Sequence, residues 1–155
     1  MHAHYHTISK LSRKIGPRKA VMKGLLESLV LYEKIETTQA KAKALKPVFD
    51  KLVTKAKRGG LHNVRVIHAE LGSKVAADKL IQELVHGFED RNSGYTRLIK
   101  SGWRRGDAAE MVVVELVLDK DFDDKLKKLQ ESAEKTQKSK TTKSIKTKSE
   151  AKGTK

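Results

Sequence analysis

Cysteine is missing from this 155-residue chain. It can form no disulfide and offers no thiolate for nucleophilic or metal chemistry, a composition that suits a reducing compartment. Long apolar runs are missing as well. The longest, MVVVELVL at 111–118, is interrupted by Glu115 and falls far short of the roughly 18 apolar residues that a membrane-spanning helix needs. The opening MHAHYHTISK is polar and rich in His, without the apolar stretch of a secretory signal. Acids are scarce: 19 Asp and Glu face 34 Lys and Arg, for a formal net charge of +15. Hydrophobic residues make up 37%, low for a chain packed along its whole length.

What is present is positive charge, unevenly placed. Between Met1 and Lys23 stand Lys10, Arg13, Lys14, Arg18, Lys19 and Lys23, with no acid among them. From Lys135 onward the chain is built of Lys, Ser and Thr, with Glu150 its one acid and Ile145 its one large apolar residue. Such a segment buries too little surface to offset its chain entropy and reads as disordered. The expected organisation is a basic, His-rich arm over 1–12, a globular domain over 13–119, and an extension over 120–155. In that extension Phe122, Leu126, Leu129 and Ala133 are spaced for a helix over 121–135 ahead of the Lys-rich tail. A field of this sign calls for a polyanion, either nucleic acid or an anionic membrane surface. The membrane reading needs an apolar anchor or a lipidation signal, and neither the Met-His start nor a cysteine-free chain supplies one.

The middle reads as α+β: helices packed on a small three-stranded mixed sheet. Gly16-Pro17 opens a first helix, whose apolar pairs Val21/Met22, Leu25/Leu26 and Leu29/Val30 recur every four residues through about Leu31. KIET at 34–37 reads as a short strand. Thr38 can cap a second helix that shows Ala42, Leu45, Phe49, Leu52, Val53 and Ala56 on one face. Pro47 inside that pattern predicts a kink near 43–47 or a break. Gly59-Gly60 ends it. Val64, Ile67 and Leu71 mark a third helix. Ser73 caps a fourth, which carries Val75, Leu80, Leu84 and Phe88 and fades near 92–94. Tyr95–Lys100 and Met111–Leu118 are the last two strands. They are expected to pair as a hairpin, with KIET in the same sheet.

The stretch GYTRLIKSGWRRGD at 94–107 carries Arg97, Lys100, Arg104 and Arg105 against the single acid Asp107, and holds Trp103, the chain's one tryptophan. Cations neutralise phosphates, while Arg planes and Trp rings stack on unpaired bases. The alternative is a solvated basic loop with Trp103 folded back as a core plug. These residues leave both readings open. They also leave open an exchangeable nucleic-acid binder, such as a nucleoid or translation factor.

Other constellations point to less. His2, His4 and His6 alternate and can share a face for a metal, but they lack Cys and an acid to orient a ring, so a flexible arm is the simpler account. His62, His68 and His86 are dispersed. Asp78 and Glu83, like Asp121, Asp123 and Asp124, are not spaced as an acid/base pair. No phosphate-cradling Gly-rich loop, G-x-S-x-G or H-E-x-x-H motif occurs, and no carboxylate cluster suits a nuclease. The expectation is a non-enzyme with no cofactor and no small-molecule substrate.

GYTRLIKSGWRRGDAAEMVVVEL resembles the signature hairpin of the family of the bacterial ribosomal large-subunit protein numbered seventeen. There a Gly-Tyr-Thr-Arg strand leads to Gly-aromatic-Arg-x-Gly-Asp and then to a Met-containing strand ending in Glu-Leu. Trp103 stands where Phe is commoner. Leu11-x-Arg13, Arg18-x-Ala20, Leu29, Ile35-x-Thr37-Thr38 and Lys41-Ala42-Lys43 follow the family's order, so the resemblance spans about residues 4–119. It implies an α+β structural protein of the cytoplasmic ribosome. Its partners would be large-subunit ribosomal RNA, near the region where nascent chains emerge, and neighbouring large-subunit proteins. Carried over residue by residue, the implied RNA contacts are Arg13, Lys14, Arg18 and Lys19 at the first helix and Lys41 and Lys43 at the second. To these the hairpin adds Tyr95, Arg97, Lys100, Trp103, Arg104 and Arg105. Lys55, Lys57 and Arg58 form a basic helix end that the helix dipole explains equally well.

Overall fold

A computed structural model describes residues 9–119. The His2/His4/His6 set, most of the N-terminal arm and the whole 120–155 extension lie outside the described residues.

Helix α1 spans Ile15–Tyr32 and buries Leu26, Leu29 and Val30. Pro17 sits in its first turn, where a missing N–H leaves no bond unmade. The helix stops at Glu33, a non-glycine residue held at φ 62°. Its N–H caps the Leu29 carbonyl at 2.9 Å, while Lys79 donates to the Leu31 carbonyl at 2.9 Å and to the Glu33 carboxylate at 2.7 Å. One lysine thus satisfies an orphan carbonyl of the helix end and pins the left-handed residue that turns the chain.

Strand β1 is Lys34–Thr38. Helix α2, Gln39–Arg58, buries Ala42, Leu45, Phe49, Leu52, Val53 and Ala56, the face its spacing predicts. Thr38 stands at the N-cap but its hydroxyl makes no capping bond. Of the kink or break expected at Pro47, the break does not occur. Pro47 and Lys43, four residues earlier, are both exposed, so the carbonyl that loses its partner faces water. Helix α3 is Leu61–Leu71, entered and left through glycines at positive φ, Gly60 and Gly72. Helix α4 is Lys74–Gln82, with the Ser73 hydroxyl accepting from the Ala76 N–H at 3.4 Å. It is shorter than its spacing suggests. The last α-helical bond is that of the Glu83 N–H to the Lys79 carbonyl, at 3.0 Å, and a 3-10 turn over Leu84–Phe88 follows. Val85, His86 and Gly87 are poor helix formers. The tighter turn seats Phe88 in the core, edge-on to Phe49 at 6.5 Å and to Tyr95 at 5.1 Å.

Strands β2, Thr96–Trp103, and β3, Glu110–Leu116, close the domain as the expected hairpin, and KIET joins their sheet. The order is β1-β3-β2 and every pairing is antiparallel, so the sheet is not mixed. The reason is apolarity. β3 carries the Met111–Val114 run and takes the centre, which keeps the parallel pair β1 and β2 apart. Val112 and Val114 are buried, as are Thr37 and Thr96 on the neighbouring strands.

Candidate nucleic-acid interface

Registers decide which cations come together. Thr38 pairs with Met111, and Met111 pairs with Gly102. The start of α2 therefore stands at the same end of the sheet as the hairpin tip, two strand spacings or about 10 Å away. Lys41 and Lys43 belong to this end, with Trp103, Arg104 and Arg105. The first turns of α1 lie against the first half of α2, since Arg18 and Lys19 line one groove with Ala44, Val48 and Lys51. Arg13 and Lys14, exposed, precede that helix. Of the cations implied by the sequence, the structure brings Arg18 and Lys19 to one groove with α2, and sets the hairpin tip and the start of α2 at one end of the sheet.

The hairpin is shaped by a bulge. Lys100 faces Val112 but Gly102 faces Met111, leaving Ser101 as the extra residue. Gly102 and Gly106 take φ of 129° and 107°, values that a side chain would strain. Beyond the bulge the Arg104 N–H donates to the Ala109 carbonyl at 2.9 Å, and the Ala108 N–H to the Arg104 carbonyl at 3.0 Å. Arg104 also folds back on Asp107, with Nε at 2.9 Å from Oδ1 and Nη2 at 2.6 Å from Oδ2. These charge-assisted bonds, joined by the Ala109 N–H, pull the Asp107 carboxyl down to about 2. The same bonds, and the Asp107 charge, raise the Arg104 pKa.

Trp103 is 72% exposed, so it is no core plug. Its partner across the ladder is Glu110, two residues from the buried Val112, so Trp103 falls on the inner-face side of the sheet at its open end. Arg97 and Lys100 make long surface pairs, Arg97 with Glu115 at 3.4 Å and Lys100 with Glu110 at 3.5 Å. Such pairs contribute little and exchange readily. Arg105 is exposed at the tip and stands in no ion pair among the described residues.

Tyr95 departs from its expected place at the interface. It is 1% exposed, packed on Phe88, with its hydroxyl donating to the Arg91 carbonyl at 3.3 Å. Its ring is core and offers no face to a base. Arg104 is half-occupied by Asp107 and acts first as the clasp of the loop. Lys57 turns out to be structural too. Its ammonium lies 5.7 Å from the Tyr95 ring centroid and donates to the carbonyls of Phe88 and Arg91. Two cations outside the expected set share the groove at α1. Lys23 and Lys51 line the same groove as Arg18 and Lys19. For Lys51 the available signal was a second stripe on α2, Lys41-Ala44-Val48-Lys51-Lys55, spaced at three and four like the buried one.

Comparison with known proteins bears on this arrangement. The family model for ribosomal protein L17 matches residues 21–117. The large ribosomal subunit protein bL17 of Erythrobacter litoralis (strain HTCC2594) is 47% identical over 122 residues, covering 77% of this chain and 86% of the relative. The protein of the same name from Campylobacter concisus (strain 13826) is 45% identical over 114 residues, covering 74% of this chain and 97% of the relative.

Proposed function

This chain belongs to the ribosomal protein L17 family, a structural and non-enzymatic part of the cytoplasmic large ribosomal subunit, and from that premise we propose that its hairpin tip and basic helix starts bind large-subunit ribosomal RNA near the nascent-chain exit. The observation that carries this reading is the uncovered end of the hairpin. A bulged strand pair leaves Lys100, Trp103 and Arg105 exposed along its open end, with glycines at 102 and 106 that let backbone come close. No core contact accounts for a tryptophan held so far in solvent.

The mechanism is architectural. Arg97, Lys100 and Arg105 exchange weak surface partners, or none, for phosphates, and Arg13, Lys14, Lys41 and Lys43 extend the contact to further RNA segments. Trp103 stacks on an unpaired base. The Arg104–Asp107 clasp fixes the loop before binding, which spares part of the ordering cost at association. Neighbouring large-subunit proteins complete the surroundings.

The test is a salt titration of binding to large-subunit ribosomal RNA. Each lost phosphate contact lowers the slope of log K against log salt by about 0.7–0.9. Arg97→Ala with Arg105→Ala is expected to flatten it by nearly two such steps, and an unchanged slope would remove the hairpin from the interface. The location is tested separately. Because the chain has no cysteine, a Ser101→Cys variant carries a single tethered iron chelate. Cuts in the RNA around the exit opening are expected, and cuts clustered elsewhere would refute the placement.

A further inference from the structure

A groove of about 720 Å³ runs between α1, α2 and α3. Its floor is aliphatic: Met22 and Leu26 from α1, Ala44 and Val48 from α2, Val66 and Ala69 from α3. All of these but Leu26 remain partly or fully open to solvent. Its rim is cationic, with Arg18, Lys19 and Lys23 on one side and Lys51 on the other. Among the described residues none of these four stands in an ion pair. Lys55 also lines the groove, but its charge is taken by Glu70 across the α2–α3 gap. The α2 wall from Ala44 to Lys55 is about 17 Å long at the rise of an α-helix, or three helical turns.

We propose that this groove is a docking site for an acidic amphipathic helix of a neighbouring protein in the large subunit. The floor selects the apolar face. Small residues at Ala44 and Ala69 leave room for a partner's side chains, and half-buried Met22, Val48 and Val66 gain burial when covered. The rim selects the flanks, because four unpaired cations about an aliphatic trough are matched by carboxylates on either side of an aliphatic stripe. RNA fits the rim but not the floor. Bases seat on aromatic rings or Arg planes and present polar edges that need partners. The described lining residues include no aromatic ring, and their one carboxylate is already held by Lys55. The site is separate from the hairpin, so the proposal stands or falls independently of RNA binding there. It rests on membership of the large subunit, and it assigns Arg18 and Lys19 to the partner helix, leaving Arg13 and Lys14 as the RNA contacts at the start of α1.

The experiment places the photo-crosslinking residue benzoylphenylalanine at position 48 in one full-length variant and at position 69 in a second, both assembled into large subunits. Ala69 is exposed, so that variant does not disturb the fold. After irradiation the adduct is identified by mass spectrometry. The expected result at both positions is one polypeptide segment with aliphatic residues at spacings of three and four, flanked by Asp or Glu. Lys51→Glu in the same background is expected to cut the adduct yield at least fivefold. An adduct to RNA, an adduct to a basic segment, no adduct at either position, or a yield indifferent to Lys51→Glu would each overturn the assignment. None of these results bears on the salt slope of the hairpin variants.

Discussion

Arg104 holds Asp107 through two parallel bonds of 2.9 and 2.6 Å, three residues apart in the sequence at the tip of the β2–β3 hairpin. The carboxylate also accepts the Ala109 N–H at 3.3 Å, so one acid ties a cation to the returning strand. The depressed pKa gives this clasp a pH signature. A carboxyl whose folded value lies below the ordinary 3.8 stabilises the folded loop above 3.8 and loses that contribution as pH falls through about 2. The amide shift of Ala109, followed by NMR, should stay flat from neutral pH to about 4 and then move with a midpoint near 2. Asp107→Asn should show the released shift at neutral pH. A midpoint near 4 in the native chain would mean that the clasp does not hold in solution.

Tyr95, just ahead of β2, and Trp103, at its last position, lie eight residues apart and are expected to fail differently. Tyr95→Ala removes a ring packed on Phe88 and should cost about 3–5 kcal/mol of folding stability, as aromatic truncations in cores do. Trp103→Ala removes an exposed ring and should change stability by no more than about 0.5 kcal/mol. It should instead weaken RNA binding by about 1–3 kcal/mol, the usual worth of base stacking. Urea unfolding and RNA titration of the two variants separate the roles. A stable Tyr95→Ala, or a Trp103→Ala that binds RNA normally, would reverse the assignment.

Lys57 is expected to act on folding alone. It ties the C-terminal end of α2 to the turn that carries Phe88, through carbonyls more than thirty residues away in sequence. Lys57→Ala should lower stability by about 1–2 kcal/mol, the range for charge-assisted bonds that are partly solvated. Its neighbour Arg58, exposed and at the last position of α2, should tolerate Ala with no measurable loss. Neither change should alter the salt slope of RNA binding. A Lys57→Ala protein that unfolds at the native urea midpoint would show that the carbonyl cluster needs no cation.

What the sequence discloses here follows from range. The α2 face was legible because its six buried residues recur with the helical period and nothing distant edits them. The hairpin was legible because strand-like residues flank a Gly-rich, charged loop. Tyr95 misled because it stands beside Arg97 and Lys100. Its burial depends on Phe88, which a 3-10 turn brings underneath it, and no local pattern announces that turn. The mixed sheet failed because β3 takes the centre and pairs antiparallel with both neighbours, an order set by contacts between distant segments. Lys57 and the groove depend on contacts between elements far apart in the chain. In the sequence they look like ordinary charged positions on solvated helix faces.

Pro47 offers the sharpest test of how local rules meet this fold. In a helix interior proline costs about 3 kcal/mol relative to Ala, yet α2 runs from Gln39 to Arg58 in one piece. Two circumstances reduce the cost. The ring is exposed, so it displaces no core side chain, and Lys43 sits on the same wetted side, so water replaces the lost donor. Proline also stiffens the unfolded chain, which returns about 0.4–1 kcal/mol. Pro47→Ala restores the donor and the helical preference while giving up that stiffening. The net expectation is a gain of at most about 2 kcal/mol, read as a higher urea midpoint with an unchanged m value. An unchanged or lower midpoint would mean that Pro47 costs this helix nothing, so that the rule for helix interiors does not apply at this site.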